Sequence, residues 1–254
     1  MAQQEDILFI TPTIWTRWLD ESRRLVSSMF PSSEHLVIDG TERWPYDWFK
    51  WIDATRDRPQ RWLVHIDEDC FLKSGDELLR LISAMEDEGT TLAAVSDGCH
   101  HYRGANAVAV NSFFMVMRSE HIKDLGFDTS SLRLGLTPQG WVNNLGIRFD
   151  HGLHARDFQY PFEVMGNGSN TAYEQEPYYM MLWMLKERGR KFRYLYPHFD
   201  DYLKSTNPRI EPGSPDIAAH MWFARDWQSG MDVHGLPNHE RYRRAAEMLG
   251  SSIT

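Results

Sequence analysis

Short apolar runs alternate along this chain with segments whose apolar residues recur at helical spacing. In one such segment Leu78, Leu81 and Ile82 share a face, Ser74 stands at the start and Gly89 at the end. Alternating strands and helices predict an α/β fold, with a mostly parallel central sheet flanked by helices on both faces. The predicted strands are 6–13, 34–40, 61–67, 90–98, 111–118 and 191–197, and the predicted helices are 16–30, 43–51, 74–89, 176–189 and 238–249.

The chain of 254 residues shows no internal repeat and no composition typical of a linker. We therefore expect a single domain over 1–254, which is long enough to bury a sizeable core. Its nucleotide-binding half is expected at about 1–110 and its acceptor and catalytic half at about 111–230, followed by the helix at 238–249. Residues 129–172 have little regular pattern and predict long functional loops.

The net charge of −9, from 27 basic and 36 acidic residues, argues against a nucleic-acid partner, because such proteins normally carry a basic stripe. No apolar run is long enough to predict a transmembrane segment, and the first residues lack a signal-peptide pattern. The two cysteines then predict reduced thiols in a cytoplasmic protein. The sequence gives no indication of oligomeric state.

Acids and hydroxyls follow several of the predicted strands. Asp39, Asp67, Asp69 and Asp97 stand at strand carboxyl ends, as does the tripeptide Thr11-Pro12-Thr13. Ligands of open α/β sheets bind beyond these ends. This edge of the sheet is therefore the predicted binding site.

In the stretch "RWLVHIDEDCFL" (61–72), a predicted buried strand is followed directly by three adjacent carboxylates, which repel one another. Oxygen ligands suit Mg²⁺ or Mn²⁺, and such an ion keeps open positions that a diphosphate can occupy. Asp69 is the expected direct ligand, whereas Asp67 contacts either the ion, if needed through water, or a ribose. Glu68 is expected to point away. The alternative is a solvated acidic loop, since an acidic chain also produces D-x-D triplets by chance.

The same stretch resembles the DxD region of GT-A fold glycosyltransferases, in which two aspartates hold a metal–nucleotide-sugar complex. Three more segments resemble this family in the expected order. "TPTIWTR" (11–17) resembles its first strand and nucleotide-binding turn, and "VIDG" (37–40) resembles its second strand. Residues 173–197 resemble the acidic helix start and the following "G-x-K" strand of inverting family-2-like members. The resemblance covers roughly residues 6–225. It implies that Thr11, Pro12, Thr13, Asp39 and Asp67 bind the nucleotide.

Members of this family often take a third metal ligand from a late histidine, and "AAHMWFARDW" (218–227) offers His220. An imidazole ligand favours Mn²⁺ over Mg²⁺. With 11 histidines in the chain, a partly buried histidine packed beside aromatic residues is the competing interpretation. Arg225 carries forked donors suited to a diphosphate, or else forms a surface salt bridge with an acid such as Asp226.

Sugar transfer to a hydroxyl also needs a general base. Glu176 is the first candidate and Glu174 the second, both at the predicted start of an apolar helix, and Asp150 is a third acid in a loop. Acids at a helix N-terminus are equally explained by compensation of the helix dipole. The chain has Glu-Gln-Glu-Pro where the family usually has Glu-Asp, so the identity of the base stays open.

The expected function is that of a metal-dependent glycosyltransferase of the hexosyltransferase class, inverting rather than retaining. Its expected partners are a nucleotide-diphosphate sugar, with a UDP-sugar first, and a glycan or other hydroxyl acceptor. A sugar-nucleotide nucleotidyltransferase is one alternative, although "TPTIWTR" lacks the glycine-rich phosphate loop of that class. The others are a non-catalytic sugar-nucleotide-binding protein of the same fold and a one-metal hydrolase.

Overall fold

A nine-stranded sheet forms the centre of the protein in this computed structural model. The structure describes residues 3–14, 17–41, 46–96, 110–125, 179–222, 232–233 and 235–250. Within these ranges no helix combines the length and the apolar character needed to cross a membrane.

The strands and helices match most of the predicted segments. The sheet consists of β1 (Ile7–Thr13), β2 (Glu34–Asp39), β3 (Trp62–Ile66), β4 (Cys70–Leu72), β5 (Thr90–Ser96), β6 (Val110–Arg118), β7 (Lys191–Asp200), β8 (Ser205–Arg209) and β9 (Ala218–His220). Two short strands, β10 (Asp232–Val233) and β11 (Leu236–Pro237), pair separately. The helices are α1 (Trp18–Met29), α2 (Tyr46–Thr55), α3 (Gly75–Glu88), α4 (Ser119–Lys123), α5 (Tyr179–Glu187) and α6 (Asn238–Met248).

The sheet has the strand order β2-β1-β3-β6-β5-β7-β8-β9-β4 and is mixed in direction. β1 runs parallel to β2 and β3, and β5 runs parallel to β7. β6 lies antiparallel between β3 and β5, and the pairs β7–β8, β8–β9 and β9–β4 are also antiparallel. The α/β prediction is confirmed, but the sheet is less parallel than the strand–helix alternation suggested. The difference arises because β6 lies antiparallel between β3 and β5, and because β7, β8 and β9 follow one another without an intervening helix.

Helices cover both faces of this sheet, as the sequence predicts. Along β1, Ile7 and Phe9 pack with buried residues of α1 and α3, whereas Leu8 and Ile10 pack with those of α2 and α5. This division follows from the alternation of side chains along a strand. Strand β1, with both faces buried, therefore reads as a continuous apolar run.

The two ends and the buried face of helix α3 follow from local signals in the sequence. The Oγ of Ser74 accepts a hydrogen bond from the backbone N–H of Glu77 (3.2 Å), and Gly89 ends the helix with φ 66°. Leu78, Leu81, Ile82 and Met85 are its buried face, all fully inaccessible to solvent. The predicted helix 74–89 is thus confirmed, including both ends.

We predict that Leu81→Ala lowers the free energy of unfolding by about 2–5 kcal/mol, because it removes buried methyl groups and leaves a cavity. Urea denaturation followed by circular dichroism measures this loss. The neighbouring Arg80→Ala is the control, since it breaks only a half-exposed ion pair with Glu77 and is expected to cost less than about 1 kcal/mol. Equal losses for the two variants would contradict the assignment of this helix face to the core.

An ion network around Asp216 joins the strands β4, β7, β8 and β9. Its carboxylate contacts Lys73 (2.9 Å), Arg209 (2.5 Å), Asn207 (2.8 Å) and His198 (3.0 Å). Burial raises the pKa of Asp216, but the hydrogen bonds from Lys73, Arg209 and Asn207 outweigh it and lower the pKa to about 2. The network therefore favours the folded state while Asp216 is ionised.

We predict that the wild type loses unfolding free energy more steeply than Asp216→Asn as the pH falls from about 4 to about 2. The folded pKa lies below the unfolded value of about 3.9, so the stabilisation is complete above the unfolded pKa and is lost on acidification. Urea titrations at a series of pH values measure both slopes. Asp201→Asn, at a side chain that is 90% exposed, should keep the wild-type slope. Parallel slopes for wild type and Asp216→Asn would contradict this prediction.

Candidate metal centre

The three acids of "IDEDC" lie in a tight turn between β3 and β4. The N–H of Asp67 donates to the carbonyl of Phe113 on β6 (2.9 Å), and the N–H of Cys70 donates back to the carbonyl of Asp67 (2.9 Å). In an extended chain Asp67 and Asp69 would point to opposite faces. The turn removes that alternation and lets both carboxylates face the same side.

His220 completes a group of three candidate ligands. It is the last residue of β9 and pairs with Cys70, directly after the acidic turn. Its Nε2 lies 3.3 Å from Oδ1 of Asp69, and the ligand atoms of Asp67, Asp69 and His220 all lie within 4.8 Å of one another. The structure therefore brings together the three residues that the sequence analysis selected as metal ligands.

The chemistry of this group could hold a divalent ion, and one of its distances matches six-coordinate geometry. Metal–oxygen distances of roughly 2.0–2.1 Å place neighbouring ligand atoms about 3 Å apart and opposite ones about 4 Å apart. The 3.3 Å between Asp69 and His220 matches two neighbouring ligands. Two carboxylates and one imidazole suit Mn²⁺ and leave further positions for a ligand of the ion.

Aromatic packing orients the imidazole of His220. The ring stacks on Phe113 with 4.3 Å between centroids and an interplanar angle of 6°, and Trp222 packs on it at 4.3 Å. The buried Nδ1 has no hydrogen-bond partner among the residues that the structure describes. The ring direction is thus set by packing and by the backbone of β9.

Glu68 has a different role from the two aspartates beside it. Its side chain is buried, accepts a short hydrogen bond from the hydroxyl of Thr13 and another from the N–H of Ile14 (3.2 Å). It is not part of the three-ligand group, in agreement with the expectation that it points away from the ion. Glu68 instead fastens the carboxyl end of β1 to the acidic turn, a role that the sequence did not reveal.

The predicted nucleotide-binding residues of β1 and β2 lie at the same edge. Thr13 pairs with Asp39 across the two strand ends. The hydroxyl of Thr11 is buried and lies 2.9 Å from Nε2 of His35, while Pro12 is half-buried. Asp39 is exposed, and its Oδ1 accepts hydrogen bonds from the N–H (2.9 Å) and the hydroxyl (2.7 Å) of Thr41. Their role in nucleotide binding stays a prediction.

The acidic turn sets a negative local field. Burial raises the pKa of the Cys70 thiol well above its usual value, and the charges of Asp67 and Asp69 raise it further. Burial lowers the pKa of Arg241 on α6 to about 10, while the nearby charges of Tyr242 and Asp69 act in the opposite direction. In both cases burial is the larger cause, and the charge of Asp69 has a smaller effect that raises the pKa.

Four predicted site residues lie outside the part of the chain that the structure describes: Glu174, Glu176, Asp150 and Arg225. The predicted strand-end residue Asp97 lies outside it too. The general base and the diphosphate contact therefore stay predictions from sequence.

Arg241 was not predicted from the sequence; it is buried and donates hydrogen bonds to the carbonyls of Met221 and Trp222, which follow His220. The spacing of the buried residues along α6 could have pointed to this position. The buried residues of α6 are Asn238, Arg241, Tyr242, Ala245 and Ala246, which recur at three- and four-residue spacing. This periodicity puts Arg241 on the buried face of the helix, where an unpaired cation is unusual.

Solved glycosyltransferases are among the structures to which this chain is similar. A glycosyltransferase involved in glycosylation of the major capsid of PBCV-1 shares 13% identity with a TM-score of 0.43, over 74% of this chain and 81% of that chain. The glycosyltransferase GlyE of Streptococcus pneumoniae shares 10% identity with a TM-score of 0.42, over 96% of this chain and 62% of that chain.

A third structure is the mannosyltransferase PcManGT of Pyrobaculum calidifontis, in complex with GDP-Man and Mn²⁺. It shares 13% identity with a TM-score of 0.34, over 49% of this chain and 48% of that chain. No protein-family model and no curated protein sequence matches this chain. Because these identities and TM-scores are low, the structural similarities assign no activity to the chain.

We predict that Glu68→Ala lowers the free energy of unfolding by about 1–3 kcal/mol in metal-free buffer. The reason is that the buried hydroxyl of Thr13 and the N–H of Ile14 lose their acceptor. Urea denaturation in the presence of EDTA measures the loss. Glu34→Ala, which removes an exposed ion pair with Arg58, is the control and should cost less than about 1 kcal/mol. A Glu68→Ala variant as stable as this control would show that Glu68 does not anchor β1.

Proposed function

We propose that this protein is a metal-dependent glycosyltransferase, which moves a sugar from a nucleotide-diphosphate sugar to an acceptor hydroxyl. The observation that carries the proposal is the convergence of Asp67, Asp69 and His220 within 4.8 Å at the carboxyl edge of the sheet. Ligands of open α/β sheets bind at this edge.

Asp67, Asp69 and His220 would hold Mn²⁺, or Mg²⁺ as second choice, through one carboxylate oxygen from each aspartate and Nε2 of the imidazole. A divalent ion bound there supplies neutralisation of the diphosphate leaving group. Phe113 keeps the imidazole plane fixed, and Glu68 keeps the end of β1 against the acidic turn. The protein thus offers a preorganised set of donors, which minimises reorganisation on binding.

The nucleotide would lie over the ends of β1 and β2, with a UDP-sugar as the preferred donor. In this proposal the segment Thr11-Pro12-Thr13 lies against the nucleotide, Asp39 contacts the base or ribose, and Asp67 reaches the ribose when it is not a direct metal ligand. Arg225 would contact the diphosphate. The exposure of Asp39, one strand away from Thr13, is compatible with such a contact.

The residues proposed to act on the acceptor are inferred from the sequence alone. Glu176, with Glu174 or Asp150 as alternatives, would accept the proton of the acceptor hydroxyl. The acceptor oxygen then bonds to the anomeric carbon while the bond from that carbon to the diphosphate oxygen breaks, so the reaction inverts the anomeric configuration. The acceptor class is a glycan or another hydroxyl compound.

A single domain over 1–254 is part of the same proposal. The expected nucleotide-binding half supplies Asp67 and Asp69, whereas the expected acceptor half supplies His220. The metal centre would therefore join the two halves of the chain.

We predict that UDP together with Mn²⁺ raises the melting temperature of the wild type, and that neither compound alone does so to the same extent. A ligand that binds only the native state at about 100 times its Kd stabilises it by about 2.7 kcal/mol. Thermal unfolding against a panel of nucleoside diphosphates, each with Mn²⁺ or with EDTA, measures the shift and identifies the base.

Asp69→Ala should abolish the metal-dependent part of this shift. Asp76→Ala is the matched control, since Asp76 is an exposed acid in the first turn of α3 and should leave the shift unchanged. The nucleotide that gives a shift then defines which sugar donors to assay for transfer. If no diphosphate produces a metal-dependent shift, the proposed function is wrong, whereas a shift with triphosphates alone would favour nucleotidyl transfer.

A further inference from the structure

Arg241 of α6 is a buried cation held by backbone carbonyls. Its residue is 1% exposed, and its guanidinium donates to the carbonyls of Met221 (2.6 Å), Trp222 (3.0 Å) and Lys204 (2.9 Å). A further bond goes to Oδ1 of Asn238 (3.3 Å). Within the described residues no carboxylate lies within salt-bridge distance of it. Burying a charge in this way carries a large desolvation penalty, which the surrounding acceptors must offset.

Two of these acceptors, the carbonyls of Met221 and Trp222, belong to the segment that immediately follows the candidate ligand His220. The N–H of Met221 donates to the carbonyl of Asp69 (3.0 Å), and the carbonyl of Met221 accepts from Arg241. This peptide segment is therefore bound to the acidic turn on one side and to α6 on the other. A displacement of the Arg241 side chain would therefore move the backbone of Met221 and Trp222, which directly follows His220.

Trp222 stores backbone strain at this point. Its φ of 39° lies in the left-handed region, which is unfavourable for a bulky residue. Two hydrogen bonds hold it: Nε1 donates to the hydroxyl of Thr206 (2.8 Å), and the carbonyl accepts from Arg241. The strained conformation keeps the indole packed against the imidazole of His220.

The position of Arg241 is itself fixed by the packing of α6. Tyr242 stacks on Trp18 of α1 with 4.6 Å between centroids, and Ala245 and Ala246 are buried beside it. A metal-binding histidine usually has its second nitrogen held by a hydrogen-bond acceptor. His220 has no such partner among the described residues, so its direction depends on the backbone and on the rings that Arg241 helps to hold.

We propose that Arg241 is a positioning residue for the metal centre: by holding the carbonyls of Met221 and Trp222, it keeps Nε2 of His220 directed at Asp69. This inference rests on the proposed function, because it takes His220 as a metal ligand. Helix α6 then completes the site without contributing a ligand.

Mn²⁺ binding tests this proposal with a readout separate from activity. Pulsed electron paramagnetic resonance detects the ¹⁴N modulation from an imidazole bound to Mn²⁺, and the signal of free Mn²⁺ gives the affinity. In Arg241→Met we expect the ¹⁴N modulation to disappear and Mn²⁺ to bind about 10–100 times more weakly, the usual effect of removing a group that orients a ligand. Arg241→Lys should show an intermediate affinity and modulation, since an ammonium keeps the charge but not the forked donors.

Arg243→Met is the matched control on the same helix. Arg243 is half-exposed and pairs with Glu240 and Glu247, so its removal should leave both the affinity and the ¹⁴N signal as in the wild type. Urea denaturation with EDTA gives the folded fraction of each variant before Mn²⁺ is added. If Arg241→Met does not fold, Arg241→Lys carries the test, with a reduced ¹⁴N modulation as the expected result.

Two outcomes would overturn the inference. If folded Arg241→Met, or Arg241→Lys in its place, binds Mn²⁺ with wild-type affinity and an intact ¹⁴N signal, Arg241 serves only the stability of the fold, and the proposed function is unaffected. If the wild type itself binds no Mn²⁺, or binds it without a ¹⁴N signal, the proposed ligand set is wrong and the role of Arg241 is lost with it.

Discussion

The antiparallel pairing of β4 with β9 is the contact on which the candidate metal centre depends. Its register places Cys70 opposite His220, so that the acidic turn before β4 meets the end of β9. A slip of one residue would turn the imidazole to the other face of the sheet, because side chains alternate along a strand. The ion network around Asp216 contributes to this register, since it joins Lys73 after β4 to residues of β7 and β8.

Three adjacent acids can be tolerated in a buried turn because each has a different environment. Glu68 is directed at Thr13 and Ile14, which removes it from the other two carboxylates. Asp69 faces His220 and lies in the field of the buried Arg241. Asp67 and Asp69, together with His220, form the candidate ligand group. The positive charge of Arg241 is held by backbone carbonyl groups rather than by a carboxylate.

Elements with strong local signals could be predicted from the sequence. Helix α3 follows from its cap at Ser74, its apolar face and Gly89, and β1 follows from a continuous apolar run. Strands β8 and β9 were missed because they are short, and β8 contains polar residues and Pro208. Strand β8 follows β7 in a hairpin, whereas β9 pairs with β4, which lies far away in the sequence, and no local pattern encodes this second pairing. The antiparallel position of β6 between β3 and β5 is likewise set by tertiary pairing.

The sequence by itself determined that acids stand at the ends of buried strands, and that Asp67 and Asp69 are spaced for a shared ligand after a turn. It also predicted the helix at 238–249, although not the burial of Arg241 within it. Only the tertiary structure decided which of 11 histidines joins the aspartates, and that Glu68 and Arg241 support the site. The physical reason is that these contacts join residues far apart in the chain. Their geometry is set by strand register and helix packing, which local propensity does not specify.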